Sequence, residues 1–232
     1  KDESPDDAKE SQVSYYLYTS YNSILVFSPD NSDIKKYGKI KLVPFGERVP
    51  FVDQIPFMGE LIKWNVGISS WNVGRDTTIF KVKLNSLADS LSISGVICIE
   101  SIYPDFVAQF VKKNSKLIVV VTNDSWYGNS SGPYQHKAMA ALRAVENKRT
   151  VVRAANGGIS AIIDPLGNTL AQTEMFEREV LVDDALLYSE LTFFSKHPLL
   201  IPYIIVLISL FCILYFLFAQ AKLSLKKKRI RK

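Results

Sequence analysis

The residue whose type and setting most directly offer chemistry is Cys98. It lies near the end of the apolar run SGVICIE (94–100), ahead of a segment (104–113) that opens on proline and reads as an amphipathic helix. A strand–turn–helix order would bring the sulfur to the positive end of that helix and favour the thiolate. A cysteine in an apolar strand is more often a small core residue. The nearby Glu100 and the lack of a cysteine partner weigh the other way. The only other cysteine, Cys212, falls in a long apolar stretch, so the body has no internal disulfide and Cys98 is a free thiol.

A cysteine nucleophile needs a base and something to hold the developing oxyanion. The two histidines serve poorly: His197 abuts the apolar stretch, and His136 lies in a plausible helix, so a Cys–His pair is weakly supported. Lys39 and Glu47, in a Pro- and Gly-rich segment, could supply a cation and a carboxylate. Lysine and glutamate in a loop are ordinarily just solvated, and their spacing alone does not select them. Two distant histidines and one body cysteine make no metal ligand set, and no cofactor is called for.

The elements that must position these residues follow from the hydrophobic pattern. YYLYTSYNSILVFS (15–28) reads as two β-rich runs around a Tyr-Asn-Ser bend, followed by an Asn/Ser/Asp turn. Residues 37–50 carry two prolines and two glycines, and 51–74 continues as an aromatic-rich loop. Strands are expected at 94–100, 117–122, 150–155, 160–163, 169–173 and 179–182, with helices at 104–113 and 133–147. This alternation, followed by hairpins, predicts an α/β or α+β sandwich.

The 232 residues carry 47% hydrophobic residues and a net charge of +5, enough for one packed domain and unlike a disordered chain. The charge is not spread evenly. Lys222, Lys226, Lys227, Lys228, Arg229, Arg231 and Lys232 place seven cations in the last eleven residues, leaving 21 basic against 23 acidic groups elsewhere. The body therefore has no general attraction for nucleic acid. Residues 198–219 carry no charge, and a helix of that length, roughly 33 Å, crosses a hydrocarbon core of about 30 Å. The cations behind it place the tail on the cytoplasmic side and the body on the other. The opening residues show no signal-peptide pattern.

Four runs carry a resemblance: YGKIKLVPFGERVPF (37–51), GVICIE (95–100), NDSWYGNSSGPYQH (123–136) and RAVENKRTVVRAANGGISAIIDPLG (143–167). Together they resemble the nitrilase, or carbon-nitrogen hydrolase, superfamily, and within it the apolipoprotein N-acyltransferase family. The resemblance runs from about Tyr21 to the C-terminus. It implies an α/β fold, a nitrilase-like αββα sandwich, incomplete here at its N-terminus and followed by one transmembrane helix. The implied boundaries are a polar segment at 1–20, the nitrilase-like domain at 21–196, the helix at 198–219 and the basic tail at 220–232.

The resemblance also implies a Glu-Lys-Cys triad with Cys98 as nucleophile and Lys39 as its lysine. Lys39 and the backbone N–H of Ile99 would bind the oxyanion, Glu47 would orient Lys39, and Glu100 matches a family acid. Trp126 and Tyr127 match an aromatic loop at the mouth of the site. In that family an acyl chain passes from a phospholipid donor through a cysteine thioester to the α-amine of a diacylglyceryl-lipoprotein, at the bacterial inner membrane with the domain on the periplasmic side. Two departures stand out: Ile99 occupies a position where the family often has tyrosine, and residues 1–20 hold no match to the triad glutamate. The upstream membrane bundle has no counterpart either, so the chain is expected to be a C-terminal fragment, inactive alone. The alternatives are an amidase or nitrilase using Cys98 with water, and a non-catalytic membrane module that keeps the fold.

Overall fold

In the computed structural model, residues 9–10, 17–28, 31–51, 54, 71–84 and 90–230 are described. The chain divides into two compact units, residues 1–196 and 197–232. In the first, the strands are β1 (Lys9–Glu10), β2 (Leu17–Tyr18), β3 (Ser23–Ser28), β4 (Asn31–Gly38), β5 (Ile79–Val82), β6 (Leu91–Ile97), β7 (Leu117–Asn123), β8 (Thr150–Asn156), β9 (Ala161–Ile163) and β10 (Thr169–Gln172). Its helices are α1 (Pro104–Lys112), α2 (Gly132–Asn147) and the single turn α3 (Phe193–Lys196).

Six strands form one sheet in the order β10-β9-β8-β7-β6-β5. The central β6, β7 and β8 are parallel, as strands joined through crossover helices must be, and the flanking pairs are antiparallel. Their apolar runs are covered, and Val96, Ile118, Val120, Val151 and Ile163 are buried. Helix α1 starts with Pro104 at a position that needs no N–H, and it buries Phe106, Val107, Phe110 and Val111. Phe106 and Phe110 meet edge to face, with ring centres 5.4 Å apart. The parallel register ends together: Cys98 follows β6, Asp124 follows β7 and Gly157 follows β8, so three connections open at one end of the sheet. That end is where open parallel sheets place their chemistry.

A second, two-stranded sheet pairs β3 with β4, Ile24 lying opposite Tyr37. Its alternation turns Ile24 and Val26 toward the core and leaves Leu25 and Phe27 exposed. Gly95 is small for a reason: a Cβ there would stand 2.5 Å from Ile24 Cδ1, so glycine lets the hairpin approach β6. Tyr37 packs its ring edge against Phe110, at 5.7 Å between centres.

Several expectations are corrected. Strand β3 pairs with the run that follows it, not with the one before the Tyr-Asn-Ser bend, and the expected Asn/Ser/Asp turn lies within β4, because the polar run NSDIKKYG is recruited as a strand by its apolar partner SILVFS. Residues 9–10, in the polar opening segment, pair with 17–18 in the first of the expected β-rich runs. Ile79–Val82 is a strand that the pattern misses, since four residues carry too little periodicity. Residues 179–182 form no strand; Val180 and Val182 are 89% and 87% exposed and pair with nothing among the described residues. Most of the loop expected at 51–74 lies outside the described residues.

The second unit is the helix α4 (Leu200–Ile230), and its stretch Leu200–Gln220, with mean hydropathy 2.7, is long and apolar enough to cross a membrane. The helix runs on past residue 220, so the basic tail continues it up to Ile230.

Candidate active site

Cys98 sits at a backbone corner. The expected turn between strand β6 and α1 is a 3-10 turn, Cys98–Ile102, and Cys98 itself has φ +50°, in the left-handed region that costs a non-glycine residue about 1–2 kcal/mol. Such a corner lifts the side chain out of the sheet while its neighbours stay packed. Ile97 and Glu100 are buried, and Cys98 and Ile99 are half-buried. As the second residue of the turn, Ile99 has an N–H with no partner inside it.

Lys39 follows β4 directly and is fully buried. Its Nζ donates to both carboxylate oxygens of Glu47, at 2.7 and 2.9 Å. Glu47 is bound further by the Asn22 side-chain amide at 3.0 Å and the Val43 N–H at 2.8 Å, as the chain curls back over residues 43–48. Burial pushes the Glu47 carboxyl up, but these bonds and the Lys39 charge outweigh it and hold the group below its ordinary range. The backbone clamps the same pair: Lys39 N–H donates to the Asn22 carbonyl, and Gly74 N–H donates to the Lys39 carbonyl, both at 2.8 Å.

Glu100 joins the two halves. Fully buried, it accepts the Tyr37 hydroxyl at 2.7 Å and the N–H groups of Ile40 at 2.7 Å, Lys41 at 3.1 Å and Ile97 at 2.8 Å. It therefore ties the residues after Lys39 to the turn that carries Cys98. Burial pushes the Glu100 carboxyl up, against those donors. Burial, and then the neighbouring Glu100 charge, raises the Tyr37 hydroxyl as well.

Trp126 and Tyr127 lie in a short 3-10 turn, Ser125–Tyr127, after β7. Trp126 is 84% exposed and Tyr127 about half. Burial pushes the Tyr127 hydroxyl up.

Pattern reasoning misses a third cluster. His136 is buried on α2 and meets the Cys98 carbonyl rather than its sulfur, with Nε2 3.2 Å from that oxygen. Its Nδ1 bonds Asp124 Oδ1 at 2.9 Å, and Asp124 Oδ2 pairs with Arg153. Two turns along the same helix face, Arg143 donates to the carbonyls of Ser101 and Ile102 at 3.3 and 3.0 Å, so α2 grips the whole turn. The available signal was an arginine inside the apolar strand TVVRAAN, a charge that needs a buried partner. Among the described residues no group of three or more His, Cys, Asp or Glu could hold a metal.

The carbon-nitrogen hydrolase family model matches residues 8–187. Among curated proteins, the chain is 38% identical over 187 residues to the apolipoprotein N-acyltransferase of Chlorobaculum tepidum, covering 81% of this chain and 35% of that protein. It is 40% identical over 193 residues to the apolipoprotein N-acyltransferase of Rickettsia bellii, covering 82% and 36%. The chain thus spans about a third of the length of these relatives. Among solved structures it resembles Saccharomyces cerevisiae Nit3, a nitrilase-superfamily member, at 17% identity and a TM-score of 0.48 over 74% of this chain and 54% of that one. A family model that takes in Lys39, Glu47, Cys98, the Trp126 turn and the whole six-stranded sheet settles the kinship: the chain belongs to the carbon-nitrogen hydrolase family.

Proposed function

We propose that Cys98 is the nucleophile of an acyltransferase that takes an acyl chain from a phospholipid, holds it as a thioester and passes it to the α-amine of a lipoprotein's N-terminal diacylglyceryl-cysteine. The observation that carries this reading is a fully buried lysine ammonium, Lys39, gripped by both oxygens of Glu47 and tied through Glu100 to the turn bearing Cys98. Similarity to apolipoprotein N-acyltransferases over about four-fifths of the chain supports the choice of donor and acceptor.

In the first half-reaction Sγ attacks the ester carbonyl carbon and the carbonyl electron pair moves to oxygen. The Lys39 ammonium and the Ile99 N–H stabilise that oxyanion. Collapse expels the lysophospholipid alkoxide, which takes up a proton, and leaves the thioester. In the second half-reaction the amine attacks the thioester, an amide forms as the nitrogen gives up a proton, and the thiolate leaves and takes a proton up to regenerate the Cys98 thiol. Glu47 is a poor base here, since it is committed to Lys39, Asn22 and Val43. Glu100 is enclosed by four donors. Both carboxylates are therefore assigned to holding the lysine and the turn, and the proton acceptor is a further group, a glutamate upstream of Tyr21 in the family resemblance.

The same reading places residues 198–219 across a bacterial inner membrane, the domain 21–196 on the periplasmic side and the basic residues 220–232 in the cytoplasm, by the distribution of cations. Contact of that tail with anionic lipid contributes about 1 kcal/mol per cation. Trp126 and Tyr127 are assigned to acyl-chain contact.

The test is intact-protein mass spectrometry of the reconstituted chain, and of the full-length protein, after incubation with phospholipid. A hydroxylamine-sensitive acyl adduct that Cys98→Ala abolishes is expected. No adduct in either form, with turnover of a small amide instead, would replace this reading by a hydrolase that uses water.

A further inference from the structure

The acyl-transfer steps leave one buried polar cluster unused: Asp124, His136 and Arg153, none more than 5% exposed. Asp124 is fully enclosed. Burial pushes its carboxyl up, but the bonds from His136 and Thr122 and the Arg153 charge outweigh that and hold it below the usual range. Arg153, whose Nε also donates to the Ile159 carbonyl at 3.0 Å, occupies Oδ2. Oδ1 is left for the Thr122 hydroxyl and for His136 Nδ1, both at 2.9 Å. A Cβ on Gly158 would stand 2.6 Å from Oδ2, so glycine is what lets this chain segment close over the carboxylate.

An ionised carboxylate only accepts hydrogen bonds, so His136 Nδ1 donates to it. The other ring nitrogen, Nε2, faces the Cys98 carbonyl at 3.2 Å and Ser101 Oγ at 3.1 Å. The carbonyl can only accept, and the Ser101 hydroxyl stands within donating distance of that same carbonyl at 2.9 Å. Facing an oxygen that can only accept, Nε2 takes the donor's place toward the Cys98 carbonyl. Arg143 on the same helix reaches the turn through the Ser101 carbonyl, and the Tyr127 ring stands edge to face with His136 at 6.4 Å between ring centres.

The acceptor belongs to a particular peptide unit. The Cys98 carbonyl and the Ile99 N–H are the two ends of one resonance-coupled plane. Withdrawing electron density at the oxygen makes the N–H a stronger donor, and fixing the oxygen fixes the direction in which the N–H points. We propose that His136, held by Asp124 and Arg153, is a positioning residue that polarises and orients the Cys98–Ile99 peptide and so strengthens the Ile99 N–H toward the acyl oxyanion. This rests on the oxyanion role given to Ile99 above.

The test uses the full-length protein in phospholipid vesicles, with single-turnover acylation of Cys98 followed by intact mass. His136→Gln keeps a side-chain N–H that can reach the Cys98 carbonyl, and His136→Leu keeps bulk without a donor. Acylation is expected within about threefold of wild type in His136→Gln and about 10- to 100-fold slower in His136→Leu, with the phospholipid KM unchanged, since one oxyanion donor is worth about 10²–10³ in rate. Alkylation of Cys98 by iodoacetamide, which forms no oxyanion, should proceed at the wild-type rate in both. Should His136→Leu fail to fold, Ser101→Ala removes the second donor to the same carbonyl and should slow acylation about threefold or more at an unchanged alkylation rate.

Equal retention or equal loss in the Gln and Leu variants, or a parallel loss of alkylation, overturns the assignment. If the wild type is acylated from a small amide and not from phospholipid, the acyltransferase reading falls, and the same comparison on the amide still decides the role of His136.

Discussion

Glu100 accepts the Ile40 N–H at 2.7 Å across sixty residues of sequence, and this bond fixes where Lys39 stands relative to Cys98. With Oε1 taken by three donors and Oε2 by the Ile97 N–H, the carboxylate is a hub whose every spoke is a hydrogen-bond donor. Glu100→Ala leaves those donors buried and unpaired, and a loss of about 3 kcal/mol or more in unfolding free energy is expected, with little acylation left. Glu100→Gln turns its amide toward one donor and should cost about 1–3 kcal/mol. Urea unfolding of the detergent-solubilised chain measures both. A cost below about 0.5 kcal/mol for the Gln variant would mean that the site holds a neutral acid instead.

The backbone at Cys98 makes a second, opposite expectation. Its φ of +50° costs a side-chain-bearing residue about 1–2 kcal/mol, while glycine's extra freedom in the unfolded chain costs about 0.5–1 kcal/mol. The difference favours glycine, so Cys98→Gly should unfold at higher denaturant than Cys98→Ala, by about 0.5–1 kcal/mol. Both variants should be inactive. The reverse order of stability would remove the case for a strained corner at Cys98.

For Glu47 the sign of the pH dependence follows from its environment. Its carboxyl is held below the ordinary carboxylate value in the folded chain, so its contribution to stability is fully present above about pH 5 and is lost as pH falls through the lowered value. The gap in melting temperature between wild type and Glu47→Gln should therefore be widest near neutral pH and close as pH falls below the ordinary carboxylate range. Using the difference between two proteins cancels Asp124, whose carboxyl is lowered in the same direction. A gap that widens on acidification would contradict the ion pair.

Much of this arrangement is legible in the sequence, and what is not has physical reasons. The apolar runs at 117–122 and 150–155 and the Pro-headed helices announce themselves because burial imposes a period, and they bring the Cys98 and Asp124 connections to one sheet end. Strand Asn31–Gly38 is polar and exists through its partner, so no local pattern reports it. Lys39 and Glu47 look like solvated loop residues until Glu47 is seen bonded back to Val43, only four residues away but through a curled loop. Asp124, His136 and Arg153 come from three elements, and only the parallel register of β7 with β8, Val120 beside Arg153, brings the arginine under the carboxylate.

The exposed turn after β7 separates binding from folding. Trp126 is 84% exposed, so its truncation removes little packing, and Trp126→Ala should leave unfolding free energy within about 0.5 kcal/mol of wild type. If its ring touches the acyl chain in ground and transition states alike, the variant's KM for phospholipid should rise severalfold at nearly constant kcat. Tyr127 differs. It lies against Gly132, where even a Cβ would stand 2.5 Å from its ring, and edges toward His136, so Tyr127→Ala should lower both stability and kcat. Steady-state acyl transfer to a diacylated peptide, with the phospholipid varied, measures the split. A Trp126→Ala variant with unchanged KM would take the indole out of the binding surface.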